Sequence, residues 1–544
     1  MNVRRVFQWC LLTGLMALST GWGLDKGWGA QLRQPPDLEE GMQVLTRGPV
    51  HEAFAGTITF DPEAGLTVSE RPPEAIEELP PDQRLEGDNV TWIPGYWAWD
   101  EERSDFLWVS GIWRNLPPGR QWVPGYWART GPDFQWISGY WADAQVSEIE
   151  YLPEPPATVE MGPSTAAPSA DQIWLPGSWV WHQTRYAWRP GFWSAVQPDW
   201  VWIPAHYVYT PRGYIFVEGY WDYPVARRGV LFAPVYFSSR TYARRGFSYS
   251  PTTIISLNAF VDHLFMRPRY QHYYFGDYYA TNYYDAGYYP SYAVNSSRYG
   301  YDPIFAHERW RNRQDGAWEQ RVAATYQHRQ DHAEARPPRI WTSQRISGPG
   351  GVASAVGNLL GASLDQASRS REHTSRFQAI DQGERQRLGQ TGHEVQRFRE
   401  QRQLWETQAA EAAATDPARR GQPSRMKLPA SPIAARPTAR LDGNYTPPKR
   451  HVAPPLDTLV RPEPRTGRSP EQPPRHTTLR PPLDMPHPKA EQQEQHRGQT
   501  HPKAERPDPR SRDGKPAGPP AWSPKSDEDE SPGKGKGKQG KGKR

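Results

Sequence analysis

Between about residues 90 and 237 the chain alternates clusters of aromatic residues with short polar breaks, on a step too short for a pair of helices. Trp108, Trp122 and Trp136 stand 14 residues apart, and Trp174, Trp188, Trp202 and Phe216 repeat that step. A unit of this length holds one strand and one turn, or a small hairpin. The flanks of the polar break Asp100 to Asp105 alternate, with Trp97 and Trp99 on one side and Phe106 and Trp108 on the other. Period-two patterning places these four rings on one face as cross-strand pairs. The fold class expected is mainly β: antiparallel β-meander repeats in two arrays, 91–145 and 172–237, side by side or stacked. Helical segments and a disordered C-terminal tail follow.

The core of the repeat is Trp-x-x-Gly-x-Trp, with an aromatic residue two positions upstream in the best copies. Phe106 to Trp113, Phe134 to Trp141 and Tyr186 to Trp193 are such copies, and others begin at Trp92, Trp122 and Trp174. The copy at Trp202 has Ala205 for the glycine and Tyr207 for the last Trp, and another runs from Phe216 through Gly219 to Trp221. Phe232 to Phe237 reads as a worn final copy. The two Trp of a motif are five residues apart and would face opposite sides of a flat strand. A bulge or kink at the Pro-Gly or Ser-Gly step returns the second ring to the first face. The competing reading makes Pro-Gly the hairpin turn itself, in a type II turn. The polar breaks are better turns, which favours the kink.

This motif resembles the WXXGXW (YXWGXW) repeat family of exported bacterial proteins, over about residues 90–225. The resemblance implies a secreted or envelope-associated repeat protein and carries over no catalytic residue and no ligand.

Outside the repeats the patterning changes several times. Residues 31–90 form an irregular, Pro- and Glu-rich segment with one strand-like run, Ala55 to Phe60, expected to pack loosely on the first array or stay flexible. Residues 146–171, rich in Pro, Ala and acids, read as a linker between the arrays. A Tyr-rich segment, 238–302, gives no clear element. A helix is expected over 303–336, and an amphipathic helix over 352–412 whose near-heptad seam through Phe377, Leu388, Val395, Phe398 and Trp405 is interrupted by Thr391 and Arg402. That helix would pair with another in a coiled coil or lie on a surface. From 413 to 544 the composition is Pro, Arg, Gln and Lys with almost no aromatics, the signature of a disordered basic tail.

Residues 1–30 read as a signal peptide. Arg4 and Arg5 precede a short apolar run from Val6 to about Leu18, and small residues follow to Ala30. An uncleaved anchor is the rival. Removal of the leader would take the chain's single cysteine, Cys10, with it. The expected location is the periplasm, cell envelope or exterior. A net charge of +5 over 544 residues is too mild to argue for nucleic acid.

No catalytic constellation emerges. His51, His307 and His393 each precede Glu, but Ala55, Arg311 and Arg397 stand where a metalloprotease helix needs its second His. His328 and His332 share a predicted helix face without an evident third ligand. No cofactor motif and no metal site is expected. The Trp rows have two readings: a packed core, or an exposed platform of Trp97, Trp113, Trp127, Trp141, Trp179, Trp193 and Trp221 that stacks on sugars or flat ligands. The tail lysines Lys534, Lys536, Lys538, Lys541 and Lys543 are candidates for contact with an anionic polymer. The function expected is a non-catalytic structural or interaction role at the bacterial envelope, with envelope polysaccharide or other envelope proteins as partners. The alternative is a polysaccharide-binding protein using the aromatic face.

Overall fold

Consecutive motifs pair to close one long antiparallel hairpin, kinked at both motifs, and four such hairpins organise the chain. The computed structural model describes residues 41–294, 300–341, 360–369, 376–415 and 422–435. The first hairpin comprises β1 (Val90–Ile93), β2 (Tyr96–Asp100), β3 (Asp105–Val109) and β4 (Ile112–Asn115). The second has β5 (Arg120–Val123), β6 (Tyr126–Thr130), β7 (Asp133–Ile137) and β8 (Tyr140–Asp143). The third has β9 (Gln172–Leu175), β10 (Ser178–His182), β11 (Arg185–Arg189) and β12 (Phe192–Ala195). The fourth has β13 (Val201–Ile203), β14 (His206–Thr210), β15 (Gly213–Val217) and β16 (Tyr220–Asp222).

In each hairpin the outer strands pair with one another and the inner strands do the same. The two halves lie in different sheets, because the ladder breaks at the Pro-Gly and Ser-Gly steps. The polar breaks make the turns: Gly131-Pro132 and Gln183-Thr184 are two-residue loops between paired strands. The kink reading therefore holds and the Pro-Gly hairpin turn does not. The mainly β, antiparallel class holds, with the meander of each array divided into short, separate pairs.

Four of the eight hairpin halves are widened by strands from elsewhere. Val235–Phe237 joins β3 through Val235 opposite Trp108, and Met42–Val44 adds beyond it. Gly229–Val230 joins β4. The worn copy thus runs as a strand along the first hairpin. Thr67–Val68 joins β7, and Glu148–Leu152 joins β15. Ser424–Lys427 then pairs with Glu148–Tyr151. Residues 146–171 are accordingly more than a spacer, and 422–435 are built into the sheets rather than into a tail. Residues 41–90 do not pack loosely: Val50, Ala53 and Phe54 are fully buried.

Two helices, α1 (Pro303–Arg311) and α2 (Trp318–Asp331), replace the single one expected over 303–336. Asp302 caps α1 by accepting from the N–H groups of Ile304 and Phe305. The second helical segment is also divided. Gly361–Ser363 is a strand on Thr253–Ile255, and the long helix is α3 (Gln382–Thr415). Val395, Phe398, Arg402 and Glu406 form its buried stripe, which lies against β strands of the first two hairpins rather than a second helix. The Tyr-rich segment packs Phe265, Tyr274, Tyr278, Tyr279, Tyr283 and Tyr288 as one cluster. The guanidinium of Arg47 lies over Tyr278 and Tyr283, and that of Arg267 over Tyr288. Glu102 and Glu101, from the first hairpin's turn, pair with these two arginines. The expected leader (1–30) and the tail lysines lie outside the described residues. No described helix is long and apolar enough to cross a membrane.

Candidate functional site

The waist of each hairpin is where its sequence motif acts. The first Trp of one motif stands directly opposite the second Trp of its partner: Trp92 opposite Trp113, Trp97 opposite Trp108, Trp122 opposite Trp141, and Trp127 opposite Trp136. Trp174 with Trp193, Trp179 with Trp188, and Trp202 with Trp221 continue the series. Ring centroids lie 5.0–5.6 Å apart, mostly edge to face. Such pairs add about 0.5–1.5 kcal/mol each beyond the area they bury.

The glycine follows from the same geometry. None of the motif glycines has a left-handed φ, so backbone freedom is not the reason for them. A Cβ would come within 2.6 Å of Cζ2 of Trp136 at Gly125, and of Trp188 at Gly177. At Gly111 and Gly191 it would also lie 2.7 Å from the carbonyl oxygens of Ile93 and Leu175. Each first Trp therefore covers the glycine of the partner motif. The fourth hairpin shows the rule by breaking it. Phe216 replaces the indole that would cover position 205, and Ala205 occupies that position. Gly219, still under Trp202, keeps its glycine, with the carbonyl of Ile203 at 3.2 Å instead of 2.7 Å.

Breaking the ladder frees backbone N–H groups in the interior, and these require acceptors. A buried glutamate from outside the motif supplies them in three hairpins. Glu78 accepts from the N–H of Gly95 (2.6 Å), from that of Gly111 (2.8 Å) and from Nε1 of Trp108 (3.0 Å). Glu52 accepts from Trp136 Nε1 and Gly139 N–H, both at 2.9 Å. Glu160 accepts from Trp174 Nε1 at 3.0 Å and from Gly177 N–H at 2.5 Å. Burial pushes the Glu78 carboxyl up to about 7, against the pull of its N–H donors and of Arg399. Carbonyls beside Glu78 and Glu160 take further indoles: Glu74 and Gln83 those of Trp97 and Trp113, Ala157 and Thr165 those of Trp179 and Trp193.

Cationic and imidazole groups serve the carbonyls of the waists. Arg402 of α3 donates to the carbonyls of Pro124 (2.9 Å) and Ser138 (3.0 Å) and to Glu406. Glu406 in turn accepts from the hydroxyls of Tyr126 and Tyr151. Arg120 donates to the carbonyls of Glu218 and Gly219, and His51 Nε2 reaches that of Pro94. The His51-Glu52 dipeptide, unsuited to a metalloprotease motif, thus serves two hairpin waists. Further bonds join the hairpins. Trp127 Nε1 donates to the Trp97 carbonyl and the Tyr207 hydroxyl to that of Trp179, so the first and second pack as the third and fourth do. Arg114 of the first hairpin grips Asp222 of the fourth with both bonds at 2.7 Å.

Of the candidate platform residues, Trp97, Trp113, Trp141 and Trp221 are buried, while Trp127, Trp179 and Trp193 are half-buried. The last two belong to the third hairpin, whose Trp174, Trp181, Tyr186 and Trp188 are also half-buried. Met161, 87% exposed, and Val159, 52% exposed, flank Glu160 over the same hairpin. The rings of His328 and His332 lie 4.4 Å apart. Among the described residues no group of three or more metal-ligating side chains forms.

The WXXGXW repeat (2 copies) matches residues 87–114, 122–142, 170–193 and 198–223, one match to each hairpin. No curated protein and no solved structure matches the chain.

Proposed function

We propose that this chain, whose residues 87–223 are built from WXXGXW repeats, acts as a non-catalytic scaffold or interaction protein of the bacterial cell envelope. One observation carries the reading: the motif residues are spent on one another. Each indole packs on its partner, the first of each motif also covers a glycine, and in most hairpins the indoles donate to a glutamate or a carbonyl of the chain itself. Residues consumed this way build a rigid frame and leave little aromatic surface for a ligand. The leader-like start of the sequence supports export.

Iodide quenching of tryptophan fluorescence in the full chain tests this, with and without cell-wall polysaccharide. Blue-shifted emission, shielded for most indoles and unchanged by polysaccharide, is the expected result. Emission that is widely quenchable and becomes protected by polysaccharide would overturn it. The half-buried Trp179 and Trp193 favour a second reading, a sugar-stacking face confined to the third hairpin. Polysaccharide protection lost in Trp179→Ala and Trp193→Ala would establish that instead.

A further inference from the structure

The four hairpins are alike enough for a missing part to be visible. In the first, second and fourth, the outer edge of the third strand receives an added strand: Val235–Phe237 on β3, Thr67–Val68 on β7, and Glu148–Leu152 on β15. In the third hairpin the equivalent strand is β11, and among the described residues no strand pairs with its outer edge. We infer that this edge of β11 is a docking site for an extended strand of a partner polypeptide carrying acidic residues four positions apart. The inference rests on the interaction reading above and names the kind of partner.

Register shows which groups are offered. His182 and Arg185 close a two-residue loop, so they form the hydrogen-bonded pair that begins the ladder. Alternation along an antiparallel pair then turns the N–H and C=O groups of Tyr186 and Trp188 to the outer edge. The second hairpin confirms this parity. Trp136, the counterpart of Trp188, donates its N–H at 2.9 Å to the carbonyl of Leu66, just before the added strand. On the opposite edge of the third hairpin, the outward carbonyl of Trp179 takes the Tyr207 hydroxyl, so only the β11 side remains for a newcomer.

Charge decides what kind of strand fits. Arg185 and Arg189 lie two residues either side of Ala187 and share its face. Neither has an ion-pair partner among the described residues. Arg185 is exposed, and the buried Nε of Arg189 lacks a hydrogen-bond acceptor. Pairing two copies of β11 about Ala187 would set Arg185 against Arg189 twice, a like-charge opposition that disfavours self-association. An acidic strand meets both. The chain provides its own precedent for acidic-to-basic strand pairing, since Glu148 and Glu150 stand opposite Lys427 and Arg425 in an antiparallel pair, with Glu150 and Arg425 at 3.1 Å. The exposed Met161 and Val159 extend apolar surface over the same hairpin. Main-chain pairing would supply affinity, and the two arginines selectivity.

The probe is a fluorescein-labelled peptide, Ser-Glu-Tyr-Ile-Tyr-Glu-Ser, titrated into the full chain and followed by anisotropy, with the Lys-for-Glu peptide as comparison. The acidic peptide is expected to saturate, and the basic one to bind at least about tenfold more weakly at low salt. Arg185→Glu, at an exposed side chain, leaves one charge of each sign on the edge and should erase that preference. Tyr186→Pro, which removes an outward N–H and no bond of the β10–β11 ladder, should abolish binding of both. Absence of saturable binding, or binding indifferent to both substitutions, overturns the inference. So does a dimer, seen by sedimentation, that Tyr186→Pro dissociates, because the occupant is then a second copy. Shielded indoles in the iodide experiment together with a failed titration would leave the scaffold reading standing and remove the docking edge alone.

Discussion

A glycine under an indole has no room to become anything else, and the chain contains its own control. Gly111→Ala places a methyl against Trp92 and the Ile93 carbonyl. It should lower stability by about 2–4 kcal/mol through overpacking and backbone shift. At the corresponding position of the fourth hairpin, Ala205→Gly should cost no more than about 1 kcal/mol, chiefly in chain entropy. Urea midpoints of the two variants check the contrast; equal losses would mean that the indole cover is not the constraint. The motif itself was legible, because its rings recur in register and the polar breaks between them announce the turns. The glutamates that complete it were not. Glu78 and Glu160 each lie 17 residues before the glycine they serve, an offset that could have been noticed. Glu52 lies 87 residues from Gly139, and nothing local distinguishes it.

Among the elements, α3 is set by a buried pair of charges as well as by the apolar Val395 and Phe398. Arg402, which interrupts the heptad pattern, is the residue that enters the second hairpin's waist. Arg402→Ala strands Glu406 in the interior without its cation and frees two carbonyls. The loss should be about 3–5 kcal/mol, whereas Arg402→Lys, which keeps a cation beside Glu406, should lose less. Denaturant unfolding of the two variants tests this, and a lysine variant as costly as the alanine one would contradict it. The same residue shows why the helix's destination was hidden. A polar break in an apolar stripe reads as a defect until its partners, two carbonyls 278 and 264 residues away, are seen. Added strands were illegible for a related reason. Two- and three-residue segments such as Thr67–Val68 carry no periodicity of their own and are strands only because a hairpin edge lies beside them.

Across the whole molecule, acid should be the vulnerable direction. Burial holds His51 and His263 down to about 3 and His206 down to about 4, against an ordinary value of 6.5. The native state keeps these rings neutral while the unfolded chain protonates them, so their contribution is complete above pH 6.5 and is lost as pH falls toward 4. Glu78 acts oppositely. Its raised carboxyl binds a proton in the native state between about 7 and 4.5, which adds stability as pH falls through that window. Burial also raises Asp100, Asp262 and Asp302, which join Glu78 at lower pH. Between pH 6.5 and 5 the three imidazoles outweigh Glu78, net proton uptake on unfolding rises from about one to about two, and stability should fall by about 1–3 kcal/mol per pH unit. Urea titrations at several pH values measure the slope directly; a flat or rising profile on acidification would refute the balance.

Reciprocal cover also sets an arithmetic for how such a chain can change length. A motif needs its partner's indole over its glycine and lends its own in return, so a lone copy has half its contacts unmet. The eight copies here stand in four couples, three of them mutually covering and the fourth covered from one side only. Duplication or loss of one copy would leave a ring without a glycine and a glycine without a ring. Growth and loss of the array are therefore expected to proceed in twos, with the couple rather than the six-residue motif as the unit of inheritance.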